Sequence, residues 1–141
     1  MSLTSPPSDS IVLPLRYPSW WLGIGVLMLL TVAALLLLPM RGPDFAPAYT
    51  DKLVHTLVFC ILMTWFSGIL KPRYRLAIFA SLLLFGTSME WLQSLVVWRS
   101  AEVLDLLFNV IGLLVGWALA RAGTAGWTHR VESVLFGESP T

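Results

Sequence analysis

Four predominantly apolar runs, each about 20 residues long, leave this chain few ways to fold, because that is the length of helix needed to cross about 30 Å of hydrocarbon. They cover Trp20 to Leu38, Lys52 to Leu70, Leu76 to Trp98 and Val103 to Ala120. Of the 141 residues, 57% are hydrophobic and 12% charged, with a mean hydropathy of +0.78. A soluble globule of this size could not hide so much apolar surface. The expectation is an all-α, polytopic membrane protein: four transmembrane helices in an antiparallel bundle with short loops.

The breaks between the runs support that division. Pro39 to Thr50 carries three prolines, a glycine and two charges, which stop a helix and make a short loop. Lys71-Pro72-Arg73-Tyr74-Arg75 ends one helix and starts the next within a few residues, so the second and third spans form an antiparallel hairpin. Arg99 to Glu102 makes the last turn. Residues 1–18, with Ser, Pro, Thr and a lone Arg16, read as a flexible tail. The first span is longer than a signal-peptide core and is taken as an uncleaved anchor. The transmembrane domain is expected over 19–121. In the tail at 122–141, Trp127, Val131, Val134 and Leu135 recur at helical spacing, as in a short interfacial helix.

Lysine and arginine collect on the cytoplasmic side of short loops. Arg16, Lys71, Arg73, Arg75, Arg121 and Arg130 fall on the side of the termini, and Arg41, Lys52 and Arg99 on the other. Both termini are therefore expected in the cytoplasm. The formal charge of +1 and the scatter of basic residues give no nucleic-acid footprint. Cys60, the single cysteine, excludes an intrachain disulfide and reads as a small packing residue.

Against this apolar background, His55, Glu90, Gln93, Asp105 and Asn109 are costly, and polar groups in hydrocarbon mark sites. At 1.5 Å per residue, Glu90 lies roughly 13 Å below the outer boundary and Asn109 roughly 12 Å, with Gln93 at roughly 9 Å and His55 and Asp105 at roughly 6 Å. They make a ladder descending from an outer mouth flanked by Asp51, Lys52 and Arg99. Facing agrees with depth, since residues three and four apart share a helix side. Lys52, His55 and Phe59 form one stripe; Gly86, Glu90, Gln93 and Val97 a second; Glu102, Asp105, Asn109, Gly112 and Gly116 a third. Gly112-x-x-x-Gly116 permits close helix approach, and its place on the polar stripe favours packing inside the bundle, against the third span near Gly86, over a homodimer face.

Each residue also has a purely structural account. Asn109 and Gln93 serve equally as interhelical hydrogen-bond glue, Asp51 or Thr50 as a helix cap, Lys52 as a snorkelling cation, and Arg99 with Glu102 as a surface ion pair. Glu90 is harder to explain so, because a carboxyl at that depth needs a partner, a proton or water. Asp51-x-x-x-His55 offers too few ligands for a zinc pattern, and Ser88 and Ser94 lack a nucleophile's context, so no metal and no cofactor is expected.

The ordered set Asp51-Lys52-x-x-His55-x-x-x-Phe59, Glu90-x-x-Gln93, Arg99, Asp105-x-x-x-Asn109-x-x-Gly112-x-x-x-Gly116 resembles the VanZ-like family of small bacterial membrane proteins. The resemblance spans about Asp51 to Gly116. It implies a multi-pass cell-envelope protein of the bacterial cytoplasmic (inner) membrane, in a family named for a member associated with teicoplanin resistance. It implies no particular reaction.

Two functions follow from the residues. In the first, an outward-facing pocket binds a lipid headgroup or lipid-linked envelope precursor: Lys52 and Arg99 meet phosphate, while Asp51, Gln93, Asp105 and Asn109 meet polar groups. In the second, Glu90, His55 and Asp105 perform acid-base catalysis on a lipid-linked substrate. Proton- or ion-coupled transport fits least, because the polar ladder stops in the outer half. Oligomerisation is left open.

Overall fold

The computed structural model describes residues 10–38, 50–95 and 103–137, and apart from one isolated β-bridge the ordered elements there are helical. Helix α1 covers Pro18–Leu37, α2 Thr50–Ile69, α3 Arg75–Ser94 and α4 Val103–Leu119, followed by a short α5 at Trp127–Phe136. Four of these segments are long and apolar enough to cross a membrane. The loop at 39–49, Val97, and the turn holding Arg99 and Glu102 lie outside the described residues.

Local chemistry sets the helix ends. Pro18 opens α1, where its missing N–H is not needed and its fixed φ suits the first turn. Pro72 halts α2 and begins a single 3-10 turn, Pro72–Tyr74, that reverses the chain into α3. Gly123, at φ 112°, and Gly126, at φ 83°, let the chain turn sharply between α4 and α5.

Helix α2 is the centre of the bundle. Phe59, Leu62 and Met63 from α2, Ile78 and Leu82 from α3, and Leu113 from α4 form the buried core. The outward positions, among them Leu57, Ile61, Leu84, Trp91, Leu107 and Leu114, are exposed leucines, isoleucines and tryptophans suited to acyl chains. Helix α1 buries only Gly25, whose absent side chain leaves room for Phe66; Met28 and Leu29 pack against the core while Val26, Leu27 and Leu30 face outward.

The glycine pair of α4 packs on α2, not on α3 near Gly86. A Cβ on Gly112 would strike the Thr56 carbonyl, and one on Gly116 would come 2.7 Å from the Cys60 carbonyl oxygen. The two helices run in the same direction, because Thr56 faces Gly112 and Cys60 faces Gly116. Thr56 and Cys60 are themselves small residues four apart, so the crossing is made of small residues on both sides. Gly86 instead makes room for the Phe59 ring and the Asn109 amide.

Among the described residues, 10–17 and α5 both dock on the bundle. Residues 10–17 lie along the end of α2: Leu13 donates to the Ile69 carbonyl at 2.8 Å and Lys71 to the Ile11 carbonyl at 3.0 Å. Helix α5 buries Thr128 and Glu132 against the bundle and leaves Val134 and Leu135 exposed. Glu132 accepts from the Arg16 N–H at 2.6 Å, the Tyr17 N–H at 3.0 Å and the Trp21 indole at 2.8 Å. It thus satisfies backbone donors that the start of α1 leaves open. Burial alone would push the Glu132 carboxyl up, but these three bonds and the field of His129 outweigh it and hold the group below the ordinary glutamate range. Beside it Trp21, Trp65 and Trp127 pack with ring centroids 5.0–5.7 Å apart.

Candidate functional site

At the opposite end of the bundle, where α2 and α4 begin and α3 ends, the buried polar side chains converge. Lys52, His55, Glu90, Gln93, Asp105 and Asn109 are each at most 9% exposed. They project from three helices because each occupies the same inward stripe as the core residues one or two turns further on.

The contacts redraw the ladder. His55 Nδ1 lies 2.8 Å from the Asn109 side-chain oxygen, joining two levels that helix arithmetic separates. That oxygen accepts, so the contact suits a proton on Nδ1 and turns Nε2 toward the carboxylates. Nε2 in turn lies 4.0 Å from Asp105 Oδ2. Asp105 divides its two oxygens, since Oδ1 sits 3.4 Å from the Lys52 ammonium while Oδ2 turns toward His55. Glu90 completes the group: one donor atom from each of His55, Glu90 and Asp105 lies within 4.8 Å of the others.

Lys52 does not snorkel. It is 6% exposed and folded inward between Asp51, at 3.0 Å, and Asp105. Asp51 stands at the exposed edge of this pair, in the first turn of α2. Gln93 donates to the Leu36 carbonyl at 2.8 Å, tying α3 to the end of α1. Helix α1 is therefore more than an anchor.

Sequence reasoning missed Thr56. Its hydroxyl reaches the Lys52 carbonyl at 3.0 Å and the Phe108 carbonyl at 3.3 Å, directly beneath the site and beside the Gly112 crossing. The signal was present as the four-residue spacing of Thr56 and Cys60. It also missed Glu132, whose inward face could not be read from the amphipathic pattern of α5.

Magnitudes indicate why so many polar groups matter. A hydrogen bond between membrane helices is worth about 0.6 kcal/mol on average, and up to ~1.7. A charged residue at the centre of an inserting helix costs about 2.5–3.5 kcal/mol, less toward its end. The His55–Asn109 bond thus contributes less than a buried Lys–Asp pair costs to install, and the cluster is not accounted for by bundle stability.

Comparison with known proteins agrees with the architecture. The VanZ/LLP1 family model matches residues 25–124, which includes the whole polar cluster. No curated protein and no solved structure matches the chain. The chain belongs to the VanZ/LLP1 family and is a VanZ-like membrane protein.

Proposed function

We propose that this VanZ/LLP1 protein sits in the bacterial cytoplasmic membrane and binds a lipid headgroup or lipid-linked envelope precursor at the α2–α3–α4 cluster, on the outward side. Through that binding it would alter susceptibility to glycopeptides such as teicoplanin, or to envelope stress. The observation that carries the reading is the inward-folded Lys52, held against Asp105 next to His55 and Asn109 at the membrane-surface end of the bundle. Replacing a buried ion pair with apolar residues is commonly neutral or stabilising, so a pair kept in a lipid-embedded bundle is better explained by a polar ligand than by folding. An ammonium and an imidazole suit phosphate, and carboxylates and amides suit hydroxyl or amide groups.

Native mass spectrometry of the purified protein tests this. Wild type should co-isolate a lipid that Lys52→Met/Asp105→Asn does not, and loss of that lipid should track loss of the envelope phenotype in cells. An identical lipid complement in both proteins would refute it.

The acid-base reading is favoured by one observation, the convergence of His55 Nε2 with Asp105 and Glu90. In that reading Nε2 accepts a proton and a neighbouring carboxyl supplies one. Glu90→Gln keeps shape but cannot titrate. A folded Glu90→Gln protein that fully supports the phenotype would remove Glu90 from any such chemistry.

A further inference from the structure

We infer that His55, Glu90 and Asp105 form a binding site for one divalent transition-metal ion within the helix bundle. The geometry points to it in three ways. First, the donors come from α2, α3 and α4 and converge within 4.8 Å, all three side chains being buried. Three groups drawn together from separate helices are a better ligand set than neighbours on one helix, because their spacing is fixed by the bundle and cannot relax independently.

Second, the histidine is set up as a ligand. The Nδ1–Asn109 contact suits the arrangement in which Nε2 faces a metal, since a partner on the far ring nitrogen is the usual companion of metal-bound imidazole. Third, the nearest Asp105 oxygen, Oδ2, lies 4.0 Å from Nε2, slightly wider than the roughly 3.4 Å between two ligands of a tetrahedral ion with bonds of about 2.0–2.2 Å, so a small side-chain rotation closes both on one ion. Lys52 holds the other oxygen, Oδ1, and so orients the carboxylate without occupying its metal-facing side.

One imidazole nitrogen and two carboxylates suit zinc, manganese or iron(II), and do not favour a soft thiolate-seeking ion. Three protein donors leave coordination positions for water or a ligand oxygen. Sequence spacing gave only Asp51-x-x-x-His55, and Asp51 is not among the converging donors; the site exists only once α3 and α4 are brought to α2. The role of the ion rests on the headgroup reading, since a phosphate oxygen would take an open position, but its binding does not.

The test uses full-length protein in detergent, stripped with a chelator, dialysed, and titrated separately with zinc and cobalt(II). Elemental analysis should give one zinc per chain, and cobalt should produce visible absorption bands of a nitrogen- and oxygen-ligated site. His55→Ala and Asp105→Asn should each abolish stoichiometric binding. Asn109→Ala, which removes only the histidine's support, should weaken binding about 10- to 100-fold. Thr87→Ala, on the exposed face of α3, should bind as wild type. Failure of wild type to retain zinc and to give a cobalt spectrum overturns the inference whatever the variants do, as does undiminished binding in folded His55→Ala. Lipid co-isolated by the stripped protein separates the two proposals: its presence with no metal binding leaves the headgroup reading standing, and its absence with metal binding leaves the metal site alone.

Discussion

The α2–α4 crossing should tolerate Gly112→Ala and Gly116→Ala poorly while accepting Gly23→Ala. Ordinary contact begins at 3.4 Å, and a Cβ on Gly116 would lie 2.7 Å from a backbone oxygen, a shortfall of about 0.7 Å. Gly112 is tighter still. The obstacle in each case includes backbone, so the helices themselves must separate. Overpacking of this kind costs about 1–3 kcal/mol. Alanine's better helix propensity returns up to about 1 kcal/mol. The net expectation is destabilisation of up to about 2 kcal/mol at either position. Gly23 has nothing within 4 Å of an added Cβ, so only the propensity gain remains there. The two classes should differ by about 2 kcal/mol in a reversible unfolding assay in mixed micelles, and in the same order in thermal melts. Separation of the helices would also lengthen the His55–Asn109 bond, so Gly112→Ala should weaken metal or lipid binding where Gly23→Ala does not. Equal stability of the Gly23 and Gly112 variants would refute the crossing.

Glu132 predicts a pH dependence. A carboxyl held below its ordinary range in the folded state contributes stability that is present above the unfolded value, 4.5, and is lost as pH falls through the folded value. Melting temperature should therefore drop in that acidic window for wild type, with a flatter profile for Glu132→Gln; parallel profiles would count against the contact. Lys52→Met strands a buried Asp105 carboxyl and should cost about 3 kcal/mol, and Lys52→Met/Asp105→Asn should recover most of it. Strict additivity in that cycle would mean that the pair does not interact. Orientation is checked in a Cys60→Ala background: an impermeant thiol reagent on intact cells should label a cysteine at Asp44 and not one at Arg73, and the reverse result would turn the cluster to the cytoplasm.

The four helices were legible because hydrocarbon imposes both their length and their apolarity. The stripes were legible because 3.6 residues per turn placed Asp105, Asn109, Gly112 and Gly116 on one face before any partner was known. What could not be read was which side chain met which. Axial depth counts Cα positions, whereas the imidazole of His55 and the amide of Asn109 reach toward each other across the separation between levels. Gln93 was assigned to the cluster by its register but found the Leu36 carbonyl, an acceptor exposed by the end of α1. The partner of Gly112 was misassigned because chain order makes α3 the natural neighbour of α4. The bundle instead puts two parallel helices together, where small residues match on both sides.

That parallel pairing joins packing to chemistry. On α4 the site residues Asp105 and Asn109 continue, turn by turn, into Gly112 and Gly116; on α2 Lys52 and His55 continue into Thr56 and Cys60. The glycines bring the backbones close, and that proximity lets the short Asn109 side chain reach a histidine on the neighbouring helix and Asp105 reach Lys52. Thr56 sits at the boundary, its hydroxyl between the Lys52 and Phe108 carbonyls and its own carbonyl against Gly112. A wider crossing built from leucines would satisfy the hydrophobic demand equally well but leave the polar groups of α2 and α4 too far apart to orient one another. The small residues therefore act on function through distance, and substitutions a full turn below the cluster should alter its binding without removing any of its donors.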